Sequence, residues 1–321
     1  MAIQIPNTAR EVLVYSGRYY NTDRQAFKAF NKLTKIKVRL IEADGMTLIE
    51  RLKREGTNSR ADVILLVDAA RINNAAKEGL LAPIESNQLT QNIPVQYRDP
   101  KHRWFGLTRR VRAVIVNPKL VEVESIKSYD DLANPNLKGK LCLRKRKNVY
   151  NQSLVADQII QQGETKTISW VQGMIKNVNQ PFFGGDTSLI RAVGQGQCGV
   201  GVVNHYYLAR MQAGANGKKD KLLTETIKLI MPNPAHVNIS AAGMVKSARN
   251  KAEAIKLISF LASPKGSIFL TKPTYEYPIN GFGESNELKK FGRFNSASTS
   301  ISKLGSTQKR AIQIMTNYGW R

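Results

Sequence analysis

Trp104-Phe105-Gly106-Leu107-Thr108-Arg109-Arg110-Val111-Arg112-Ala113-Val114-Ile115-Val116-Asn117 reads as one extended segment, about twice the length of an ordinary strand. A strand that long is expected to cross from one lobe to another. A second crossing is expected over Ile239 to Lys246, after the proline-bearing stretch Met231 to Pro234. Two crossings mean that the first lobe is completed by chain returning from the second. The division expected is 1–112 plus 237–287 for an N-terminal lobe and 113–236 plus 288–321 for a C-terminal lobe. The predicted helix Ala252 to Leu261 and the break at Ser263-Pro264 fit the return. A chain of 321 residues also exceeds the usual size of a single core.

Strand and helix patterns alternate on either side of the long strand, which argues for a parallel α/β architecture. Glu11 to Tyr15 reads as a strand, Ser16-Gly17-Arg18 as a turn, and Asp23 to Leu33 as an amphipathic helix capped by Asn21 or Thr22. Lys37 to Ala43 and Ala61 to Val67 read as strands followed by helices Met46 to Arg54 and Ala69 to Glu78, with Gly79 as a stop. Lys140 to Arg144 is strand-like, Lys145 to Asn148 a polar loop, and Gln152 to Gln162 a helix. Cys198 to Val203 is a further apolar run, and Asn204 is a suitable N-cap for a helix His205 to Met211.

Three tyrosine sites fall where a strand gives way to a helix: Tyr19-Tyr20, Tyr150 and Tyr206-Tyr207. In open α/β sheets, ligands collect outside the carboxyl ends of strands, where helix N-termini point outward. A phenol has a pKa near 10 and becomes an anionic ligand at neutral pH only if a strong Lewis acid displaces its proton. Ferric iron is such an acid, whereas zinc and copper call for histidine or thiolate and calcium for carboxylates. Four phenolates around Fe(III) leave one net negative charge, so a neighbouring cation is expected. Arg210, four residues after Tyr206, and Arg110 and Arg112 in the long strand are the candidates. Tyr15, Tyr97, Tyr129, Tyr275, Tyr277 and Tyr318 read as structural.

Composition bounds the alternatives. The net charge of +25 raises nucleic acid as a partner, but the basic residues are spread along the chain. The densest run, Arg144-Lys145-Arg146-Lys147, reads as a solvated turn, and no nucleic-acid-binding motif accompanies it. A positive field repels free Fe(III), so the incoming species is expected to be an anionic chelate or hydroxide, or else the charge holds the protein near anionic surfaces. No apolar run of eighteen or more residues is present to span a membrane, and the first residues lack the pattern of a secretory signal. Cys142 and Cys198 have no zinc-site spacing; a disulfide between their strands and two buried thiols both stand open. His102, His205 and His236 form no recognisable triad, and no phosphate loop or hydrolase motif is present, so no enzyme is expected.

Val14 to Asp23, Asn148 to Leu154 and Val203 to Leu208 resemble the three signature segments of the ferric-iron-binding proteins of ABC uptake systems. The likeness is to the cyanobacterial FutA type, related to the FbpA proteins, and it extends over essentially the whole chain. What the resemblance implies is a class II periplasmic-binding-protein fold of two lobes, with Fe(III) in the cleft held by Tyr20, Tyr150, Tyr206 and Tyr207. It also implies a periplasmic monomer that hands its cargo to an inner-membrane ABC permease. Several relatives carry histidine where this chain has Tyr19, so Tyr19 is an additional candidate ligand, and water or a synergistic anion a further one. Fe(II) is an alternative cargo. His205 is expected to project away from the metal. The rival reading is a receptor of the same fold for an oxyanion or a polyamine, which would bind without colour.

Overall fold

The computed structural model describes residues 10–18, 21–179 and 181–321. Its first sheet is assembled by β1 (Glu11–Ser16), α1 (Asp23–Thr34), β2 (Lys37–Glu42), α2 (Gly45–Glu55), β3 (Val63–Val67) and α3 (Ala69–Lys77), followed by β4 (Leu81–Ala82) and α4 (Asn87–Asn92). β1 lies parallel to β2 and β3, as right-handed strand–helix–strand units require. Val12 and Val14 are fully buried, and α1 covers the sheet with Ala26, Phe27 and Phe30. Gly79 ends the α3 region with φ of +72°, a left-handed backbone that glycine adopts without strain. Thr22 does occupy the N-cap of α1, but its side chain makes no capping hydrogen bond.

The long strand β5 (Phe105–Val116) is buried along its whole length. Phe105 to Val111 pair antiparallel with β9 (Val237–Val245), whereas Arg112 to Val116 pair antiparallel with β7 (Val200–Asn204). The strand order is β2-β1-β3-β9-β5-β7, continuing to β6 (Leu141–Cys142). β5 therefore passes from the first sheet into the second at Val111 and Arg112. β9 begins at Val237, two residues earlier than the apolar run suggests, and among the described residues it pairs with β3, β4 and Phe105 to Val111 of β5; the chain therefore returns to the first sheet ahead of Val237 and not over the expected Ile239 to Lys246.

Between β5 and β9, besides β6 and β7, lie α5 (Val149–Gln162), α6 (Glu164–Asn177), α7 (Asp186–Gly194), α8 (His205–Gln212), α9 (Lys218–Thr224) and β8 (Lys228–Ile230). Only Leu141 and Cys142 of the expected Lys140–Arg144 strand form a ladder, parallel to β7; Arg144 continues as an isolated bridge to Phe183. A disulfide joins Cys142 to Cys198 across a 5.9 Å Cα separation, which settles the open choice between a bridge and two thiols. After β9 come α10 (Lys251–Ala262), α11 (Pro264–Thr271), β10 (Tyr277–Pro278), α12 (Asn286–Lys290) and α13 (Ile301–Asn317). Ser263 accepts from Gly266 N–H, so the expected break is also the cap of a new helix. α13 packs on α5 and, nearer its start, on α3, where Asn73 donates to Ser302 O; it touches elements of both sheets.

Candidate metal centre

Two helix starts carry Tyr150, Tyr206 and Tyr207. Asn148 caps α5 by accepting from Tyr150 N–H at 3.1 Å, so Tyr150 lies within the first turn rather than ahead of the helix. Its ring is flanked by two guanidinium groups: Arg110 Cζ is 5.7 Å and Arg144 Cζ 5.9 Å from the ring centroid. α8 begins at His205 directly after β7, which puts Tyr206 and Tyr207 at its N-terminal end. Asn204 holds the N-cap position without a capping side-chain bond, because its Oδ1 faces the buried Arg112 instead.

The Tyr206 and Tyr207 rings stack with centroids 4.5 Å apart and planes 27° from parallel. Tyr206 is 1% exposed, and its hydroxyl shares a hydrogen bond with that of Tyr207. Burial pushes the Tyr207 phenol above its ordinary range, and the neighbouring Tyr150 and Asp186 add to this. The Tyr206 hydrogen bond and the Arg144 charge oppose it. Tyr207 is therefore a protonated phenol at neutral pH, with Tyr150 inside its electrostatic reach. The three phenols converge, although they come from segments more than fifty residues apart. Tyr19 and Tyr20 lie outside the described residues.

His205 is fully engaged elsewhere. Its Nδ1 accepts from Val111 N–H at 3.1 Å, and its Nε2–H donates to Tyr275 O at 3.0 Å. Burial drives its pKa down to about 4, so the ring is neutral and both nitrogens are committed. That excludes it from the metal, as the sequence suggests.

The arginines separate by role. Arg112 donates to both oxygens of Asp186 at 3.1 Å and to Asn151 Oδ1 at 2.8 Å, which ties β5 to the starts of α5 and α7. Asp186 also accepts from Asn204 N–H, so one carboxylate holds both tyrosine-bearing helix starts in register. Arg110 donates to Ser240 Oγ at 2.6 Å and Ile239 O at 2.7 Å while facing Tyr150. Arg210 acts on the Tyr275 phenol. Arg144, expected in a solvated turn, instead sits beside Tyr150 and Tyr207 and pairs with Asp186 at 3.2 Å. Its position at the end of a strand, six residues ahead of Tyr150, was the available signal.

Beneath the phenols, where β5 and β9 run side by side, lies a buried ionic cluster. Arg18 binds Asp23 at 2.7 Å and Glu276 at 3.2 Å, and Thr108 donates to Glu276 at 2.6 Å. Burial would raise the Glu276 carboxyl, but Arg18, Arg110 and Thr108 outweigh it and hold the pKa below the usual range. Asp68 at the end of β3 is linked through Asn238 Nδ2 to Ser153 of α5, at 3.1 and 2.6 Å. Gly17 sets the turn ahead of Tyr19: a Cβ there would lie 3.0 Å from Gly45 Cα.

Among the described residues no group of three or more His, Cys, Asp or Glu side chains is placed to hold a metal. The side-chain oxygens gathered at the two helix starts are phenolic, and once deprotonated such donors suit a hard trivalent ion.

Residues 16–268 match the family model described as bacterial extracellular solute-binding protein. The chain is 38% identical to iron uptake protein A1 of Synechocystis sp., over 98% of this chain and 89% of the relative. It is 29% identical to the major ferric iron-binding protein of Neisseria meningitidis, over 84% of this chain and 81% of that one. Among solved structures, the Trichodesmium IdiA (FutA) protein in complex with iron and citrate ligands superposes with a TM-score of 0.92. That match has 39% identity and covers 97% of this chain and 100% of the other.

Proposed function

This chain belongs to the bacterial extracellular solute-binding proteins, and from that premise we propose that it is the ferric-iron receptor of an ABC uptake system. The observation that carries the reading is the convergence of Tyr150, Tyr206 and Tyr207 at two helix N-termini, next to Arg110 and Arg144. Tyr150, Tyr206 and Tyr207 supply phenolate oxygens from the second lobe, and Tyr20 completes the set from the first. Tyr19, a water or a synergistic anion takes any remaining position. The helix N-termini and the guanidinium groups of Arg110 and Arg144 offset the charge left by four phenolates on Fe(III), with Arg112 and Arg210 further off. A site rich in oxygen and arginine also accommodates Fe(II).

The lobes divide at Arg112 and Val237, where β5 changes sheets and β9 begins. Metal joins Tyr20 to the second lobe, the lobes close on it, and the closed surface is what the permease recognises. The protein acts as a monomer in the periplasm; its disulfide suits an oxidising compartment.

The test is ferric citrate added to iron-free protein, with the visible spectrum recorded for wild type and for Tyr206→Phe. A phenolate-to-iron charge-transfer band that is lost or shifted in the variant is expected. Folded protein that stays colourless with ferric citrate, but is stabilised by an oxyanion or polyamine in a thermal-shift screen, would overturn the iron reading.

A further inference from the structure

α11 lies against α1 and α10 on the outer flank of the first sheet. Its inner face, Gly266, Ser267, Leu270 and Thr271, is buried. The opposite face presents Lys265, Ile268, Phe269 and Lys272, spaced i, i+3, i+4 and i+7, all exposed. Ile268 is 51% and Phe269 36% exposed, and on the adjoining helix Leu33 is 72% exposed. Lys28 and Lys32 stand one turn apart on α1, with Lys35 just past its end, and all three are exposed. The apolar surface continues past Ile268 into a groove of about 680 Å³ where Ile279, Phe282 and Leu288 lie, with Glu284 as the exposed carboxylate on its wall.

α11 contains no acidic residue, and the one on α1, Asp23, is buried against Arg18. Glu42 and Glu253 nearby are held by Arg24 and Arg10. The two neighbouring helices thus present exposed lysines together with solvent-exposed leucine, isoleucine and phenylalanine. The iron chemistry uses none of these residues. A polyanion in solution would be met by the lysines alone and would not explain three large apolar side chains left in water. An anionic bilayer accounts for both, since lysines reach lipid phosphates while apolar tips enter the interface.

We propose that the α1–α11 face, with Lys28, Lys32, Lys265 and Lys272 around Leu33, Ile268 and Phe269, seats this protein reversibly on an anionic lipid bilayer. Seating confines the receptor to the plane in which a membrane partner is found, and it does not depend on which solute the cleft holds.

The experiment pellets the protein with vesicles of phosphatidylcholine alone and of phosphatidylcholine with phosphatidylglycerol. Retention is expected on the mixed vesicles only. Lys28→Glu with Lys32→Glu should cut it about tenfold, and Ile268→Ser with Phe269→Ser by a comparable factor. Lys218→Glu with Lys219→Glu on α9 serves as the charge-matched control and should change it by less than about twofold. No retention on mixed vesicles, equal loss with the α9 pair, or retention that survives Ile268→Ser with Phe269→Ser would each overturn the proposal. Far-ultraviolet circular dichroism reports the folding of each variant. Absence of colour with ferric citrate, with vesicle retention intact, would count against the iron site and leave this face standing.

Discussion

The phenol wall and the ionic cluster beneath it are neighbours built on opposite electrostatic plans. Arg18, Asp23, Thr108 and Glu276 form a buried set in which charges are matched by partners already in place. Tyr150, Tyr206 and Tyr207 are neutral while protonated, and burial strengthens the hold of Tyr207 on its proton. One region is held together by ion pairs among its own side chains, although burial still raises the Asp23 carboxyl above its ordinary range against the pull of Arg18; the other stays uncharged for as long as its phenols keep their protons. The difference teaches why a receptor can use tyrosine where carboxylates would have to be buried as bare anions. A neutral phenol is inexpensive to desolvate, and a carboxylate is not.

Removing one partner from the ionic cluster should have the largest effect. Glu276→Ala leaves Arg18 and Arg110 without their shared carboxylate and is expected to cost about 3–5 kcal/mol in a urea-unfolding experiment. A loss below about 1 kcal/mol would mean that the cluster is not electrostatically tight, and the contrast with the phenols would fail. Protonation should then separate the regions. Each phenol that becomes a phenolate on binding releases a proton, so iron affinity should fall as pH falls, by up to about one decade per pH unit per phenolate. Affinity titrated across the neutral range and found independent of pH would show that the phenols are not displaced. The smallest effect is expected for Arg144→Gln, which removes a guanidinium facing Tyr150 while Arg110 remains. A loss of about tenfold in iron affinity with little change in stability is expected, and equal sensitivity of both quantities would reassign Arg144 to the structural set.

Much of this was readable from residue order. The alternation of strands and helices, the long β5 and the placement of Tyr150 and Tyr206 at helix starts follow from patterns of apolar spacing and capping that act locally. Asn204 does hold the N-cap of α8, as residue order suggests, but without the capping side-chain bond, because a cap is chosen by local competition and buried Arg112 offers its Oδ1 a charged donor. The reading of Arg144 as part of a solvated turn failed for a related reason. Four consecutive basic residues look alike in sequence, and only the first lies at the end of a strand against Asp186 and the tyrosines. The cysteine pair was undecidable from spacing, since a bridge depends on β6 and β7 lying side by side.

Residue order therefore carries the elements, the long β5 that joins the two sheets and the expectation of phenolic donors, because periodicity and functional-group chemistry are properties of a segment. Tertiary packing assigned the arginines to their roles, sealed the disulfide and brought phenols from α5 and α8 within reach of one another. Those outcomes depend on distances between segments far apart in the chain, which no local pattern encodes.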